Sequence, residues 1–296
     1  MEQPAPARLE LADGRILEYY AADAPDLVPL VFDNGTPGTG LPYPPFVAQA
    51  AERGLRLVSC SRPGYGASTR HPGRSVASVA ADVRELLDHL RASRCYTMGW
   101  SGGGPHALAT AALLQDRVLG AATVASLAPY DAEGLDWMAG MGAENVDEFG
   151  AALDGPEALQ GFLEGEESWV AMVTAERVAE GLGDLASEVD REALTGELAE
   201  WNATALRASV ASGIWGWLDD DLAFARPWGF DVGAIGVAVA VWQGGQDRMV
   251  PFAHGEWLAA HVGSARGRLL PEHGHLSLAV ASVGRILDDL LGGTAA

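Results

Sequence analysis

The chain has 296 residues, 48% of them hydrophobic, which is enough for one large domain or two small ones with a sizeable core. Its 40 acidic against 19 basic side chains give a formal net charge of −21, a field that repels nucleic acids and anionic membrane surfaces. The chain contains no lysine, which excludes a Schiff-base lysine, a phosphate-binding P-loop and a Ser–Lys dyad.

The first half of the chain alternates short apolar runs with glycine-containing turns. Arg8 to Tyr20 alternates around Asp13-Gly14 and predicts a β-hairpin, whereas apolar residues recur at helical spacing from Ser75 to Leu90. The pattern also predicts strands at Leu30–Phe32, Leu55–Cys60, Cys95–Gly99 and Ala121–Ala125. A helix that ends at Leu114 is predicted between the last two of these strands.

The final third continues this alternation of strands and helices. It predicts strands at Val237–Trp242 and Arg268–Leu270, and helices at Gly255–His261 and Leu276–Leu291. Because strands that are joined through helices run parallel, these patterns predict an α/β fold with a mostly parallel sheet and helices on both faces.

One long segment interrupts the alternation. From about Pro129 to Pro227 the pattern is helical, and this segment holds five of the nine tryptophans. We expect residues 130–227 to form a helical cap over a core domain of residues 1–129 and 228–296. Large apolar side chains of the cap are candidates to bind substrate, or else form the cap's own core; they are Trp137, Met141, Trp215 and Trp217, with Met138 and Trp201 as further candidates.

A candidate nucleophile lies in Gly99-Trp100-Ser101-Gly102-Gly103, which matches G-x-S-x-G between an apolar strand and an Ala/Leu-rich helix. A serine on such a sharp turn has an exposed hydroxyl, because small residues two positions away let the strand and helix approach closely. The Gly102 N–H lies at a helix N-terminus, where negative charge is stabilised. We predict Ser101 as the nucleophile and Gly102 as one oxyanion donor.

A second oxyanion donor is expected from the glycine-rich loop Asn34-Gly35-Thr36-Pro37-Gly38, which follows the strand Leu30–Phe32. A tetrahedral intermediate needs two N–H groups, and the loop after the third strand usually supplies one of them. Since Pro37 has no N–H, Thr36 is the candidate. The alternative is a simple turn of glycine and proline.

The base and its carboxylate partner are sought late in the chain. His275 stands just before the last helix, where a histidine can reach the head of the central strand, and His273 is the alternative. Asp247 ends a buried strand with a glycine turn, in Gln243-Gly244-Gly245-Gln246-Asp247, and would orient the imidazole. Asp131 is the alternative carboxylate.

With these residues assembled, the chain resembles the α/β-hydrolase superfamily, and more narrowly its esterase and proline-iminopeptidase-like branch. The order Ser101, Asp247, His275 is the one expected of this superfamily. The resemblance covers about residues 28–130 and 228–291 and rests on Asn34-Gly35-Thr36-Pro37-Gly38, Arg62-Pro63-Gly64-Tyr65-Gly66, Gly99 to Gly103, and Gln243 to Asp247 with Gly274-His275. It implies an eight-stranded sheet, acyl transfer through an acyl-enzyme, and no cofactor or metal.

The chain departs from the family pattern at two positions. Asn34 stands where members usually carry His, and Ser61 where they often carry Asp, so the support of the oxyanion loop is expected to differ. A serine at position 101 argues against haloalkane dehalogenases and epoxide hydrolases, which use Asp there.

We expect a small-molecule substrate, with carboxylic esters of modest size as the first candidate. An aminopeptidase resembling proline iminopeptidase is the second, in which an ammonium group would bind the cap acids Glu164, Glu166 and Glu167. A non-catalytic ligand receptor on the same fold is the third. The sequence does not set the oligomeric state.

Three further features bear on location and chemistry. Residues Met1 to Pro6 lack the basic region and apolar core of a signal peptide, and the longest apolar run, Val232 to Trp242, is too short to cross a bilayer. Cys60 and Cys95 lie in apolar stretches without the spacing of a zinc site, so buried, inert thiols are expected. The N-terminal segment and the short apolar run predict a cytoplasmic protein.

Overall fold

A computed structural model describes residues 4–292 of the chain. Met1 to Gln3, part of the segment examined for a signal peptide, lie outside the described residues, as do 293–296. The strands are β1 (Pro6–Glu10), β2 (Ile16–Ala21), β3 (Val28–Asp33), β4 (Leu55–Cys60), β5 (Cys95–Trp100), β6 (Val118–Val124), β7 (Val239–Gly244) and β8 (Ala265–Leu270).

The α-helices surround these strands in the order that the sequence alternation predicts, with one helix that it did not predict, α1. They are α1 (Pro44–Glu52), α2 (Val79–His89), α3 (Gly103–Leu113), α4 (Ala143–Asp154), α5 (Pro156–Met172), α6 (Val178–Gly181), α7 (Glu188–Ala193), α8 (Gly196–Ser209), α9 (Trp215–Phe224), α10 (Phe252–His261) and α11 (His275–Gly292). Among the described residues, no helix combines the length and apolarity needed to cross a membrane.

All eight strands form one sheet in the order β1-β2-β4-β3-β5-β6-β7-β8. Strand β2 is antiparallel to both β1 and β4, whereas every pair from β4 to β8 is parallel. The predicted mostly parallel, eight-stranded sheet is therefore confirmed. Because the carboxyl ends of parallel strands meet at one edge, the loops after β3, β5 and β7 lie side by side there.

Alternate residues of the central strands face different helical layers. Along β3, Leu30 and Phe32 belong to the core that includes α1 and α11, while Val31 belongs to the core that includes α2, α3 and α10. The same alternation separates Trp242 from Val241 in β7. Both faces of the sheet are thus covered, and the free cysteines, Cys60 and Cys95, are buried, as predicted.

The long connection between β6 and β7, residues 125–238, is helical. It carries α4 to α9, and no strand of the described residues lies within it. Leu159, Leu163 and Trp217 form an apolar cluster together with Tyr65. Tyr65 belongs to the sheet-forming part of the chain, residues 4–124 and 239–292, called here the sheet domain. Residues 125–238, called here the helical insertion, therefore pack against the carboxyl edge of the sheet.

Candidate active site

Ser101 directly follows β5 and begins the turn into α3. Its φ of 57° lies in the left-handed region, which costs a non-glycine residue about 1–2 kcal/mol. A Cβ on Gly99 would overlap the Gly103 carbonyl, and one on Gly103 would overlap that of Asp33. Glycine at both positions therefore allows backbone contact among β3, β5 and α3. Ser101, which is half-buried on this tight turn, lines a cavity at the carboxyl edge of the sheet.

Two backbone N–H groups lie free beside Ser101. A Cβ on Gly102 would be 3.1 Å from the Thr36 nitrogen, and one on Gly35 would be 3.2 Å from the Ser101 Cβ, so the two loops are in close contact. Within residues 4–292, neither Thr36 nor Gly102 donates its N–H to a backbone carbonyl. Both residues line the cavity, where their N–H groups can bind an anionic oxygen.

His275 and Asp247 are joined by a hydrogen bond of 2.8 Å between Nδ1 and Oδ2. The other Asp247 oxygen accepts from the N–H groups of Met249 (2.9 Å) and Val250 (2.8 Å). Because a carboxylate only accepts, the neutral imidazole carries its proton on Nδ1 and keeps a lone pair on Nε2. The ring of Trp100 stacks on His275 with centroids 6.1 Å apart, which further restrains the imidazole.

The electrostatics of this pair favour a charged imidazole. Burial lowers the pKa of His275, but the charge of Asp247 and its hydrogen bond outweigh that effect and raise the pKa above 6.5. Burial raises the pKa of Asp247, against the effect of His275 and the Val250 N–H. Ser101 and His275 line the same cavity, although no hydrogen bond joins their side chains among the described residues.

The alternative residues lie elsewhere. Asp131 is exposed, and His273 is half-buried and absent from the cavity lining. The backbone carbonyl of His273 accepts from the Gln246 N–H at 2.8 Å, so this residue supports the Asp247 turn rather than facing Ser101. Of the two carboxylates considered, the structure brings Asp247 to His275.

The cavity has a volume of about 180 Å³ and lies between the sheet edge and the helical insertion. Of the candidates for substrate binding, Trp217 and Trp201 line it, together with Phe149. Trp137, Met141 and Trp215 do not.

Packing explains those three positions. The Trp137 ring lies edge-on against Phe149, 4.6 Å between centroids, and its Nε1 donates to the Ala128 carbonyl, so it supports the cavity wall from behind. Met141 is buried in the same core as Trp137. Trp215 is 37% exposed and carries the Arg70 guanidinium over its ring at 4.4 Å.

The acids that reach the cavity are not the three predicted from the cap sequence. Glu164, Glu166 and Glu167 are absent from its lining, whereas the lining includes Glu144, Glu148 and Asp221. Among residues 4–292, no group of His, Cys, Asp and Glu side chains is arranged to hold a metal ion.

The carboxyl groups of Glu148 and Asp221 share a hydrogen bond, and Trp217 Nε1 donates to Glu148 at 2.6 Å. Burial, followed by the charge of Glu148, raises the pKa of Asp221 well above its usual range. Burial and the charges of neighbouring glutamates raise the pKa of Glu144 to about 7. No arginine or histidine of the described residues forms an ion pair with Glu148.

Sequence reasoning missed a buried aspartate that holds the histidine segment. Asp190, in the helical insertion, accepts from the N–H groups of His275, Leu276 and Ser277, each at 2.9 Å. A Cβ on Gly274 would overlap this carboxylate, so Gly274 permits the approach. Asp190 thus caps α11 at its first residue, where the helix dipole favours negative charge.

It also missed Asp220, whose side chain is fully buried against the oxyanion loop. Arg62 Nη2 donates to Asp220 at 2.7 Å, Arg74 Nη1 at 2.7 Å and Thr36 Oγ1 at 2.9 Å. A sequence signal for its burial was available, because Asp219-Asp220-Asp221 lies between apolar residues, whereas a solvated run of charges lies among polar ones.

The two departures from the family pattern have visible replacements. Asn34 Nδ2 donates to the carbonyls of Thr39 (2.7 Å) and Leu41 (3.1 Å), closing the oxyanion loop on itself. Ser61 Oγ donates to Glu18 at 2.7 Å and accepts from the Gly40 N–H at 2.9 Å. A carboxylate from β2 therefore supplies the charge that an aspartate at position 61 would bring.

Comparison with known proteins identifies the family. A family model described as the alpha/beta hydrolase fold matches residues 28–281. The uncharacterized hydrolase YcgS of Bacillus subtilis (strain 168) is 34% identical over 67 residues, a match that spans only 23% of this chain and 24% of that protein.

Two solved structures share the fold over nearly the whole chain. A hydrolase from Pseudomonas aeruginosa PA01 has a TM-score of 0.68 at 23% identity and covers 98% of each chain. A thermophilic esterase from Thermogutta terrifontis, with malate bound, has a TM-score of 0.68 at 20% identity and covers 99% of this chain and 100% of its own. Together with the match over residues 28–281, these comparisons establish that the chain belongs to the α/β-hydrolase family.

Proposed function

We propose that this protein is a serine hydrolase that cleaves carboxylic esters of small to medium size through an acyl-enzyme on Ser101. One observation carries the proposal. A single cavity is lined by a serine on a sharp turn, a histidine bonded to a buried carboxylate, and two residues with free N–H groups. That combination supplies a nucleophile, a base and an oxyanion site.

In the proposed mechanism, His275 Nε2 removes the proton of Ser101 Oγ as the oxygen attacks the ester carbonyl. The N–H groups of Thr36 and Gly102 bind the resulting oxyanion. His275 then gives its proton to the departing alcohol, and Asp247 stabilises the imidazolium in between. A water molecule, activated by the same histidine, attacks the acyl-enzyme carbonyl and releases the acid and free Ser101.

We further propose that residues 130–227 act as a cap that determines substrate choice. Support comes from the cavity lining, which includes Phe149 of α4, Trp169 of α5, Trp201 of α8 and Trp217 of α9. Apolar walls of this kind favour an apolar acyl or alcohol group, and the modest volume favours a small one.

A second candidate is hydrolysis of a substrate that carries an ammonium group, as an aminopeptidase resembling proline iminopeptidase would require. The observation that favours it is the buried Glu148 in the cavity wall, which forms no ion pair with a basic side chain among the described residues. A buried carboxylate without a cationic partner is costly, so a cation delivered by the ligand would be bound favourably.

The first prediction concerns the proposed nucleophile and its carboxylate partner. Ser101→Ala is expected to lower the kcat of p-nitrophenyl butyrate hydrolysis by about 10⁴-fold or more, because the three groups act as a unit. Asp247→Asn should lower it by several orders of magnitude, and the exposed control Asp131→Asn by less than about tenfold. Steady-state kinetics with melting temperatures check this. Equal losses in both aspartate variants would contradict the assignment, and a wild-type protein without turnover would favour the receptor.

The second prediction concerns protonation of the proposed base. Asp247→Asn removes the charge that raises the pKa of His275 and leaves burial in place, so this pKa should fall. Because the base must be neutral, the acid limb of kcat/KM should follow the His275 pKa and lie at lower pH in Asp247→Asn than in the wild type. Imidazole ¹⁵N NMR titration measures both proteins. His254, whose pKa burial lowers to about 4, is the control, and a His275 pKa unmoved by the substitution would disprove the coupling.

The third prediction separates the two candidate substrates. If an ammonium group binds Glu148, Glu148→Gln should raise KM for prolyl p-nitroanilide by about tenfold or more and leave p-nitrophenyl butyrate nearly unaffected. Glu164→Gln, on the exposed face of α5, is the matched control. An equal effect of Glu148→Gln on both substrates, or no amide turnover by the wild type, would exclude the aminopeptidase and leave ester hydrolysis as the remaining candidate.

A further inference from the structure

Asp220 lies on α9 of the helical insertion, yet its partners belong to the sheet domain. Besides Arg62, Arg74 and Thr36, the Tyr65 hydroxyl donates to it at 3.1 Å, and His106 Nε2 lies 3.4 Å away. Burial raises the pKa of Asp220, but the charges of Arg62 and Arg74 outweigh it and hold the pKa well below its usual range. The carboxylate is therefore ionised, and both of its oxygens accept hydrogen bonds.

Arg62 connects this carboxylate to the oxyanion loop. Its Nη1 donates to the Asn34 carbonyl at 2.6 Å, and its Nη2 donates to the Gly35 carbonyl at 2.9 Å and to Thr36 Oγ1 at 3.0 Å. Arg62 is only 2% exposed, so its guanidinium has no freedom to turn toward solvent. The Asp220 contacts to Nε and Nη2 hold the plane of that guanidinium in place.

The direction of the Thr36 N–H follows from this contact. In a planar trans peptide, the carbonyl and the following N–H point to opposite sides. The Gly35 carbonyl points at Arg62, so the Thr36 N–H points away from Arg62, toward Gly102 and the cavity. A rotation of the peptide that broke the Arg62 contact would also turn this donor away from the oxyanion.

We propose that Asp220 is a positioning residue that sets the direction of the Thr36 N–H, acting through Arg62 and through the Thr36 hydroxyl. The proposal rests on the oxyanion role of Thr36 in the proposed function. It carries a consequence for the helical insertion, since Asp220 lies on α9. The oxyanion site is complete only while α9 is docked on the sheet domain.

The test compares Asp220→Asn with Asp219→Asn. Asp219 is a neighbour on the same helix that is also buried, but it pairs with Arg70 (2.9 Å), and no hydrogen bond among the described residues joins it to the oxyanion loop. We expect Asp220→Asn to lower kcat for p-nitrophenyl butyrate by about 10- to 100-fold, since a whole oxyanion donor accounts for about 10²–10³. KM should stay within about threefold. Asp219→Asn should keep kcat within about twofold.

A second variant guards against loss of folding, because Asp220→Asn leaves two buried arginines without full compensation. Thr36→Val removes only the hydroxyl link and keeps the N–H, and should lower kcat by about three- to tenfold at an unchanged melting temperature. Rates are normalised to active sites counted from the p-nitrophenol burst, so misfolded protein does not enter kcat. In the double variant Asp220→Asn/Thr36→Val, the fold-loss in kcat should be smaller than the product of the two single losses, because both substitutions disrupt the same linkage.

Wild-type kcat in Thr36→Val and in a folded Asp220→Asn would overturn the proposal. A drop in Asp220→Asn that Asp219→Asn matches, or losses that multiply in the double variant, would also overturn it. If Asp220→Asn does not fold, Thr36→Val decides alone. A wild-type protein without any turnover would overturn the proposed function, and this inference with it. That result is distinguishable from failure of the positioning role alone, in which the wild type is active and the variants do not differ as expected.

Discussion

The backbone at Ser101 is the constraint on which the rest of the site depends. Its left-handed conformation, with φ of 57°, is unfavourable for serine and persists only where the surroundings hold it. Glycine at 99 and 103 brings β3, β5 and α3 into backbone contact, and glycine at 35 and 102 brings the oxyanion loop to the same point. One tight turn therefore exposes the hydroxyl and locates the neighbouring donors relative to it.

Two carboxylates of the helical insertion secure the groups around that turn. Asp190 caps the helix that begins with His275. Asp220 accepts hydrogen bonds from Arg62, which in turn donates to backbone carbonyls of the loop that contains Thr36. Both are buried and both accept at least three hydrogen bonds, which offsets the cost of removing a charge from water. The insertion thus does more than cover the cavity, because it holds both sides of the proposed catalytic apparatus in place.

Much of this arrangement could be predicted from local sequence, and the remainder depended on long-range packing. The glycines around Ser101 and the alternation of strands and helices are local signals, and they correctly predicted the sheet. The helix α1 was missed because two prolines begin a segment of only nine residues. Trp215 and Trp217 are two positions apart on one helix and face different surroundings, which depends on how that helix packs. Asp220 could not be identified from local sequence, because its partner Arg62 is 158 positions away.

Covalent labelling is the direct test of whether Ser101 is an activated nucleophile. The wild-type protein would be treated with a fluorophosphonate, digested, and analysed by mass spectrometry to find the modified peptide. We expect a stoichiometric adduct on Ser101 and on no other serine, formed at a rate that falls when Asp247 is changed to Asn. No adduct, or an adduct on a different serine, would contradict it.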